Sequence, residues 1–560
     1  MKATEVKLLP FLQGTKQFVI PIYQRTYSWK TTQWQQLWND VRRIAVDEGV
    51  SGHFVGSVVY VEKGLYQLSA VPQVLVIDGQ QRLTTITLLL AALGKAIEER
   101  GGATSTNRKK ITNYYLVNGE EEGDLRHKLV LTQSDRETLA RIVDGTELPE
   151  VASARVVEAY RFFEEQIRKS GVDLDVLFAG ISKLIVVDIA LDRERDNPQL
   201  IFESLNSTGL DLSQADLIRN YVLMGLDTQE QADIYRTHWY PMEQRFGHAE
   251  YTALFDRFMR DYLTVKTGRI PNIDAVYTAF KAYVQDTSAG AMREAVAEVA
   301  RFSTYFVNLA LGREPDAEIR GVLDDINTLK VDVAYPFLLE VYDDYARGRV
   351  ERAGFIAILR LVESYVFRRA ICGIPTNSLN KTFATLAGEI DKERYLESAR
   401  AVFLLKDSYR RFPHDDEFRA ELLVKDIYHL RVRNYVLRKL ENHGRKERVN
   451  VEDFTIEHIL PQNEQLNAAW REELGAGWQE IQAKYLHTLG NLTLTAYNSE
   501  MSDRPFAEKR TMDGGFADSP IRLNRGLAKL EHWNAAAIEG RAGELVELGC
   551  GYGRHRRWMR

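Results

Sequence analysis

The sequence predicts a multidomain α+β protein: a mixed α/β N-terminal region, a nearly all-helical middle and a smaller α/β unit after it. Three observations predict this. Val74-Leu75-Val76-Ile77 is a continuous apolar run, as in a buried strand, and turns at Asp78-Gly79 into a helix carrying Leu83, Ile86, Leu89 and Leu90. Between about 226 and 440 the apolar residues recur at the helical period, with no obvious repeat. Asn442-His443-Gly444-Arg445 then reads as a linker, and the remainder as a smaller α/β unit. A chain of 560 residues allows roughly two to four domains; the expected boundaries are 1–225, 226–440 and 441–560.

Along the N-terminal region, Phe18 to Ile22 reads as a short strand whose Pro21 suggests an edge position. Thr31 or Thr32 can cap a helix with Trp34, Leu37, Trp38, Val41 and Ile44 on one face. Phe54 to Val61 is β-rich, and Ala103 to Asp124 is polar and loop-like. Leu184 to Ile189 reads as another buried strand. Two helices follow, separated by Ser207-Thr208-Gly209, and Ser213 with Asp216 forms a capping box for the second.

Hydrophobic content of 45% and charged content of 27% are ordinary for a globular protein. The net charge of −6 does not advertise nucleic-acid binding, so DNA contact would need local patches. Arg431, Arg433, Arg438, Lys439, Arg445, Lys446 and Arg448 make one; Arg554, Arg556, Arg557 and Arg560 make another. A solvated helix face and a basic terminus account for the same residues. Cys372 and Cys550 are too few for a disulfide framework or a four-cysteine zinc site. No apolar run approaches the roughly 18–20 residues that span a bilayer, and no secretory h-region is present. The expectation is a cytoplasmic protein without a membrane partner.

Asp78-Gly79-Gln80-Gln81-Arg82-Leu83-Thr84-Thr85 lies where a buried strand meets a helix N-terminus, a place that favours an anion. Gly79 permits close approach, Arg82 can fork onto phosphate oxygens, and Thr84 and Thr85 offer hydroxyls. Asp78 can position a metal-bound or attacking water. Arg25, at a strand end, can meet the same anion. A buried Asp–Arg pair locking the turn, with Gln80 and Gln81 capping the helix, fits equally well. Asn206 and Asp211 flank a third polar cluster able to hold a ribose, a phosphate-bound metal or each other; Gly209 as a helix C-cap explains much of it.

Near the other end, Thr455-Ile456-Glu457 reads as a strand delivering His458 to a loop stiffened by Pro461. An imidazole can take a proton from water near neutral pH. Glu457 and the Asn498 oxygen are hard ligands suited to Mg²⁺ or Mn²⁺, and Asn491, in a second strand, would fix the loop or bond the histidine ring. Lys509 and Arg510 are candidate phosphate contacts. His487 reads as structural or as a DNA contact, and Trp470, Trp478 and Trp533 as core.

These motifs resemble those of a known family. Ile20-Pro21-Ile22-Tyr23-Gln24-Arg25-Thr26-Tyr27-Ser28-Trp29, His53-Phe54-Val55-Gly56-Ser57, Ile77 to Thr85 and Phe202 to Gly209 resemble the ParB/sulfiredoxin-like domain of GmrSD-type modification-dependent (type IV) restriction enzymes. Arg368 to Gly373 also looks familial. Glu457-His458-Ile459-Leu460-Pro461-Gln462, Leu489 to Leu494 and Asn498, with Phe506 and Lys509, resemble the family's C-terminal His-Me finger (HNH-like, ββα-metal) nuclease domain. The resemblance implies NTP binding and hydrolysis at one end and divalent-metal DNA cleavage at the other. On that basis Arg25, Tyr27, Gly79, Gln80, Gln81, Arg82, Thr84 and Asn206 would bind the nucleotide, ATP, GTP or another, with Asp78 and Arg82 catalytic. His458 would be the general base and Asn491 its support; Glu457 and Asn498 would face the metal, and Lys509 and Arg510 the DNA. Many HNH nucleases carry Asp where this chain has Glu457, and the zinc-binding cysteine pairs of some are absent.

The expected function is NTP-stimulated cleavage of modified double-stranded phage DNA; a homodimer is compatible with it. Two other functions fit the same residues: a ParB-like nucleotide-switched DNA clamp that does not cut, and a DNA-damaging toxin nuclease indifferent to modification.

Overall fold

The computed structural model describes residues 2–551, apart from 63–70, 102–103, 193–195, 197, 207–211, 225, 227, 286–290, 446, 448 and 452. The chain is a mixed α+β protein, mostly helical, with small sheets. No described helix is long and apolar enough to cross a membrane. The fold divides into two compact units, residues 1–256 with 272–300, and residues 257–271 with 301–560.

The first unit is built on β1 (Lys2–Lys7), β2 (Gln17–Val19), β3 (His53–Glu62), β4 (Gln73–Asp78), β5 (Leu129–Val130) and β6 (Leu184–Leu191). They form one mixed sheet ordered β1-β6-β3-β4-β2-β5. β3 runs parallel to β6 and antiparallel to β4, and β2 runs parallel to both β4 and β5. Side chains alternate between faces along a strand. Val58, Tyr60, Val74 and Val76 accordingly join a large core shared with the helices Thr31–Val46, Gln80–Arg100 and Ala154–Ser170. Val59, Val61 and Ile77 join Leu191 and Phe202 in a second, smaller cluster, with Leu217 packed against it. Both faces of the inner strands are covered, so β4 and β6 read as nearly unbroken apolar runs, unlike the exposed edge strand β1.

Several expectations need adjusting here. β2 ends at Val19 and lies between β4 and β5, so Pro21 marks no sheet edge. Pro21 falls beyond the strand, where its missing N–H removes no ladder bond. In the helix Thr31–Val46 the five expected apolar residues are buried, but Lys30 is the N-cap; Gln33 Oε1 accepts from its N–H at 2.9 Å. The polar stretch before Asp124 contains short helical turns at Arg108–Ile111 and Thr112–Leu116. Ser213 does cap its helix, its Oγ accepting from the Asp216 N–H at 3.1 Å.

In the second unit the helices Ala317–Thr328, Arg352–Ile371 and Arg433–Glu441 enclose a buried charge network. Asp325 lies 2.8 Å from Arg360, 2.8 Å from Arg438 and 2.6 Å from Lys439, while Glu363 meets Lys439 at 2.5 Å. Arg445 pairs with the buried Glu441. Arg438, Lys439 and Arg445 of the basic stripe, for which DNA contact and a solvated helix face were both open, therefore compensate acids inside the unit. Lys446 and Arg448 lie outside the described residues. The expected linker is likewise tied down: Asn442 Oδ1 accepts from Val449 N–H at 2.7 Å, and Glu441 accepts from the N–H groups of Arg522 and Leu523. The basic tail beyond residue 551 lies outside the described residues.

β7 (Thr455–His458) and β8 (Leu492–Thr495) form an antiparallel pair, with Glu457 opposite Thr493 and His458 opposite Leu492. Ile459, Leu460, Trp470, Phe506, Trp533 and Ile538 make the core beside it; Trp478 packs there only partly buried.

Candidate active site

At the N-terminal constellation, β4 ends at Asp78 and the next helix starts at Gln80. Gly79 has φ 100°, and a Cβ there would sit 2.9 Å from the Ser57 carbonyl, so a side chain is excluded by both conformation and space. No side chain caps the first turn of this helix, an arrangement suited to an anion. Asp78 Oδ2 and Arg82 Nη1 lie 3.7 Å apart, both about three-tenths exposed, and Arg82 also donates to the Ser57 carbonyl. Gly56, with φ 115°, leaves room for that guanidinium: a Cβ there would sit 2.7 Å from its central carbon. Arg25 pairs loosely with Asp216 at 3.9 Å.

The remaining predicted nucleotide residues are occupied with local structure. Gln81 Oε1 accepts from Ser28 N–H at 2.9 Å, and Gln80 Nε2 donates to Gln24 Oε1 at 3.2 Å. Both glutamines thereby pin the 24–29 segment to the helix start. Thr84 and Thr85 hydroxyls donate back to the Gln80 and Gln81 carbonyls at 2.8 and 2.7 Å. Tyr27 is 6% exposed, shares a 2.6 Å hydrogen bond with Thr85 and accepts from Trp34 Nε1. Asp78, Arg82 and Arg25 are thus the accessible polar groups of this predicted set, with Tyr27, Thr84 and the glutamines holding their scaffold. Asn206 closes the helix Pro198–Asn206; its side chain and residues 207–211 lie outside the described residues.

At the other constellation, His458 ends β7 and is 4% exposed. Asn491 is not in β8, as expected, but in the single 3₁₀ turn Leu489–Asn491 just before it. Its side chain is fully buried: Oδ1 accepts from Leu460 N–H at 2.7 Å and Trp533 Nε1–H at 3.2 Å, and Nδ2 donates to the Leu460 and Leu486 carbonyls. Asn491 therefore fixes the loop after His458 and does not bond the ring. Gly490 is required because a Cβ would meet the Ile538 carbonyl at 2.5 Å. That close approach lets Arg541, on the helix Ala535–Gly551, donate to the carbonyls of Leu489, Gly490 and Leu492 at 3.2, 2.7 and 2.9 Å.

Glu457 and Lys509 turn inward, away from the metal and the DNA they were expected to meet. As neighbours in a strand, Glu457 and His458 point to opposite faces. Glu457 is 3% exposed and its Oε1 receives Lys509 Nζ at 2.5 Å; Lys509 is 0% exposed and also donates to the carbonyls of His458 and Ile459. Burial raises the Glu457 carboxyl and lowers the Lys509 ammonium, each opposed by the partner's charge. The pair is an internal brace, so Lys509 offers no surface to DNA and Glu457 no open oxygen to a metal. Asn498 donates to the Ile456 carbonyl at 2.9 Å. Arg510 is partly buried and donates to the Leu530 carbonyl at 2.5 Å. The Lys509 bond thus withdraws Glu457 from the divalent ion it was expected to face, while the bond of Asn498 runs through Nδ2 and leaves its oxygen, the expected ligand atom, uncommitted. Among the described residues no group of three or more His, Cys, Asp or Glu is arranged as a metal site.

Instead, the fold brings other polar residues to His458. His458 Nε2 lies 3.1 Å from His487 Nδ1. The Tyr428 ring meets His458 edge-on at 4.4 Å between centroids and stacks near-parallel on His487 at 5.4 Å. His429 packs edge-on against His487 at 4.5 Å and its Nδ1 lies 2.8 Å from Asp426 Oδ2. A β-bridge between Asp426 and Thr488 holds these segments together, with Ile427 N–H donating to the His487 carbonyl at 2.8 Å. Burial first, then the neighbouring His487, Lys509 and His429, lowers the His458 pKa to about 3, and burial also lowers that of His487. Both imidazoles are neutral at neutral pH, the form a general base requires. The sequence alone does not expose the Asp426-Ile427-Tyr428-His429 segment, because the region up to 440 reads as helical; an Asp and a His three apart is the only signal.

Comparison with family models matches residues 8–223 to the GmrSD restriction endonuclease N-terminal domain. Residues 412–548 match the GmrSD restriction endonuclease C-terminal domain, whose matched segment includes Asp426, His429, His458, His487 and Asn491. No curated protein matches the chain.

Proposed function

This chain belongs to the GmrSD restriction endonuclease family, and from that premise we propose that it cleaves modified foreign double-stranded DNA, as in phage defence, under the influence of a nucleotide. In this proposal the C-terminal part is a His-Me finger nuclease in which His458 takes a proton from the water that attacks phosphorus. The observation that carries it is an imidazole set at the end of β7, 3.1 Å from His487 and next to a loop locked by Asn491; burial lowers its pKa and so favours the neutral form. Mg²⁺ or Mn²⁺ belongs to the proposal through the family resemblance, and would stabilise charge at the scissile phosphate when bound. Glu457, one of the two donors expected for it, is taken up by Lys509, so the chemistry assigned to the chain's own residues is confined to the proton at His458.

The N-terminal part is proposed as a ParB/sulfiredoxin-like nucleotide domain. Its support is the half-open Asp78–Arg82 pair at an uncapped helix start, a place for a phosphate.

The test is cleavage by purified protein with Mg²⁺ or Mn²⁺. Unmodified, glucosylated-hydroxymethylcytosine and phosphorothioate DNA are compared, with and without an NTP mixture, with His458→Ala as control. Cutting of one modified substrate, absent in the variant, is expected. Equal cutting of all three would make the protein a general or toxin nuclease. Phage protection that survives His458→Ala would instead favour a nucleotide-switched clamp.

A further inference from the structure

We propose that His487 is a positioning residue for His458: it accepts a hydrogen bond from Nε2–H of His458 and so presents His458 Nδ1, with its lone pair, as the basic nitrogen. The inference rests on His458 being the general base.

Two neutral imidazoles joined through one hydrogen bond must divide the roles of donor and acceptor between them. The separation of 3.1 Å between His458 Nε2 and His487 Nδ1 is within bonding range. The more firmly held ring, that of His487, is assigned the acceptor role at Nδ1. Its ring is gripped by the parallel Tyr428 ring at 5.4 Å and the edge-on His429 at 4.5 Å. The Asp426 carboxylate, 2.8 Å from His429 Nδ1, also acts electrostatically on His487. Its backbone is fixed too, through the carbonyl that accepts from Ile427. His487 is therefore held from several sides, while His458 has Tyr428 as its nearest ring neighbour at 4.4 Å. A ring oriented by a partner in this way is the usual means of selecting which imidazole nitrogen is basic.

The test uses the full chain labelled with ¹⁵N in its histidine rings, with His458→Ala to identify the His458 signals. The expected spectrum shows His458 as the Nε2–H tautomer, with a slowly exchanging proton that is lost in His487→Leu and kept in His487→Asn, whose amide oxygen replaces the acceptor. An Nδ1–H tautomer, or a His458 signal unchanged in His487→Leu, overturns the proposal. Cleavage of glucosylated-hydroxymethylcytosine DNA and of bis(p-nitrophenyl) phosphate with Mn²⁺ provides the functional readout. His487→Leu is expected to lose about 100-fold in kcat, the lower end of a general-base contribution, with KM unchanged and His487→Asn restoring most of it. Equal losses in Leu and Asn would reduce His487 to packing. Activity persisting in His458→Ala would instead remove the general-base reading itself, a result distinct from a silent His487→Leu.

Discussion

Removing either member of the Lys509–Glu457 pair leaves a buried charge without its counter-ion. Lys509→Met is expected to destabilise the protein by roughly 3–5 kcal/mol, measured by denaturant unfolding, and adding Glu457→Leu should recover part of that loss. A Glu457→Gln variant that kept full stability but lost only Mn²⁺ dependence would restore Glu457 to the metal. Asn491→Ala strands the Leu460 and Trp533 N–H donors and should cost about 2–4 kcal/mol. Acid has its own effect. His458 titrates near 3 in the fold against about 6.5 unfolded, so its folded pKa is depressed. The unfolded chain takes up the proton first, so stability is complete above about 6.5 and is lost as pH falls from there towards 3. His458→Gln should flatten that decline in melts run from pH 7 to pH 4. At this scale the sequence suggests that Asn491 fixes the loop after His458, and its bond to the Leu460 N–H does so, from a turn and not from a strand. It does not reveal what Glu457 meets on its face of the strand, because that is a lysine 52 residues away in the chain.

Gly490 shows how one element sets another. A Cβ there would press on the Ile538 carbonyl, part of the helix backbone, so Gly490→Ala must displace the helix Ala535–Gly551 or the turn bearing Asn491. A loss of about 1–3 kcal/mol follows from such overpacking, with cleavage falling more than stability if the His458 loop moves. Calorimetry and kcat together check this. Strands covered on both faces announced themselves as apolar runs, so β3, β4 and β6 were readable, as was the buried face of the helix Thr31–Val46. What periodicity does not encode is order across a sheet: nothing local to Pro21 says that β5, over a hundred residues later, pairs outside β2. The Asp426–Thr488 bridge was hidden for the same reason.

For the whole molecule, the two constellations lie in separate compact units, and their activities should separate by mutation. Arg82→Ala is expected to weaken NTP hydrolysis and to abolish any NTP-induced rise in melting temperature, leaving the His458 centre folded. His458→Ala should do the reverse, keeping NTP turnover and losing DNA cleavage. Parallel nucleotide-release and cleavage assays on both variants check this; an Arg82→Ala protein with normal NTP turnover would dismiss the N-terminal assignment. The motif pairs carried the family-level reading because each depends on a few residues close in sequence. The grouping into units did not, because it depends on contacts such as those joining Asp325 to Arg438 across more than a hundred residues.

The Arg541 clamp has a consequence for the order of events in the cell. The carbonyls it gathers come from Leu489, Gly490 and Leu492, yet the guanidinium that gathers them is made last, long after His458. A ribosome-bound chain thus carries the proposed base and the asparagine that fixes its loop before the group that holds the turn at 489–492 exists. On the proposed reading, a chain that stops short of residue 541 should lack an ordered turn at 489–492 and fail to cut.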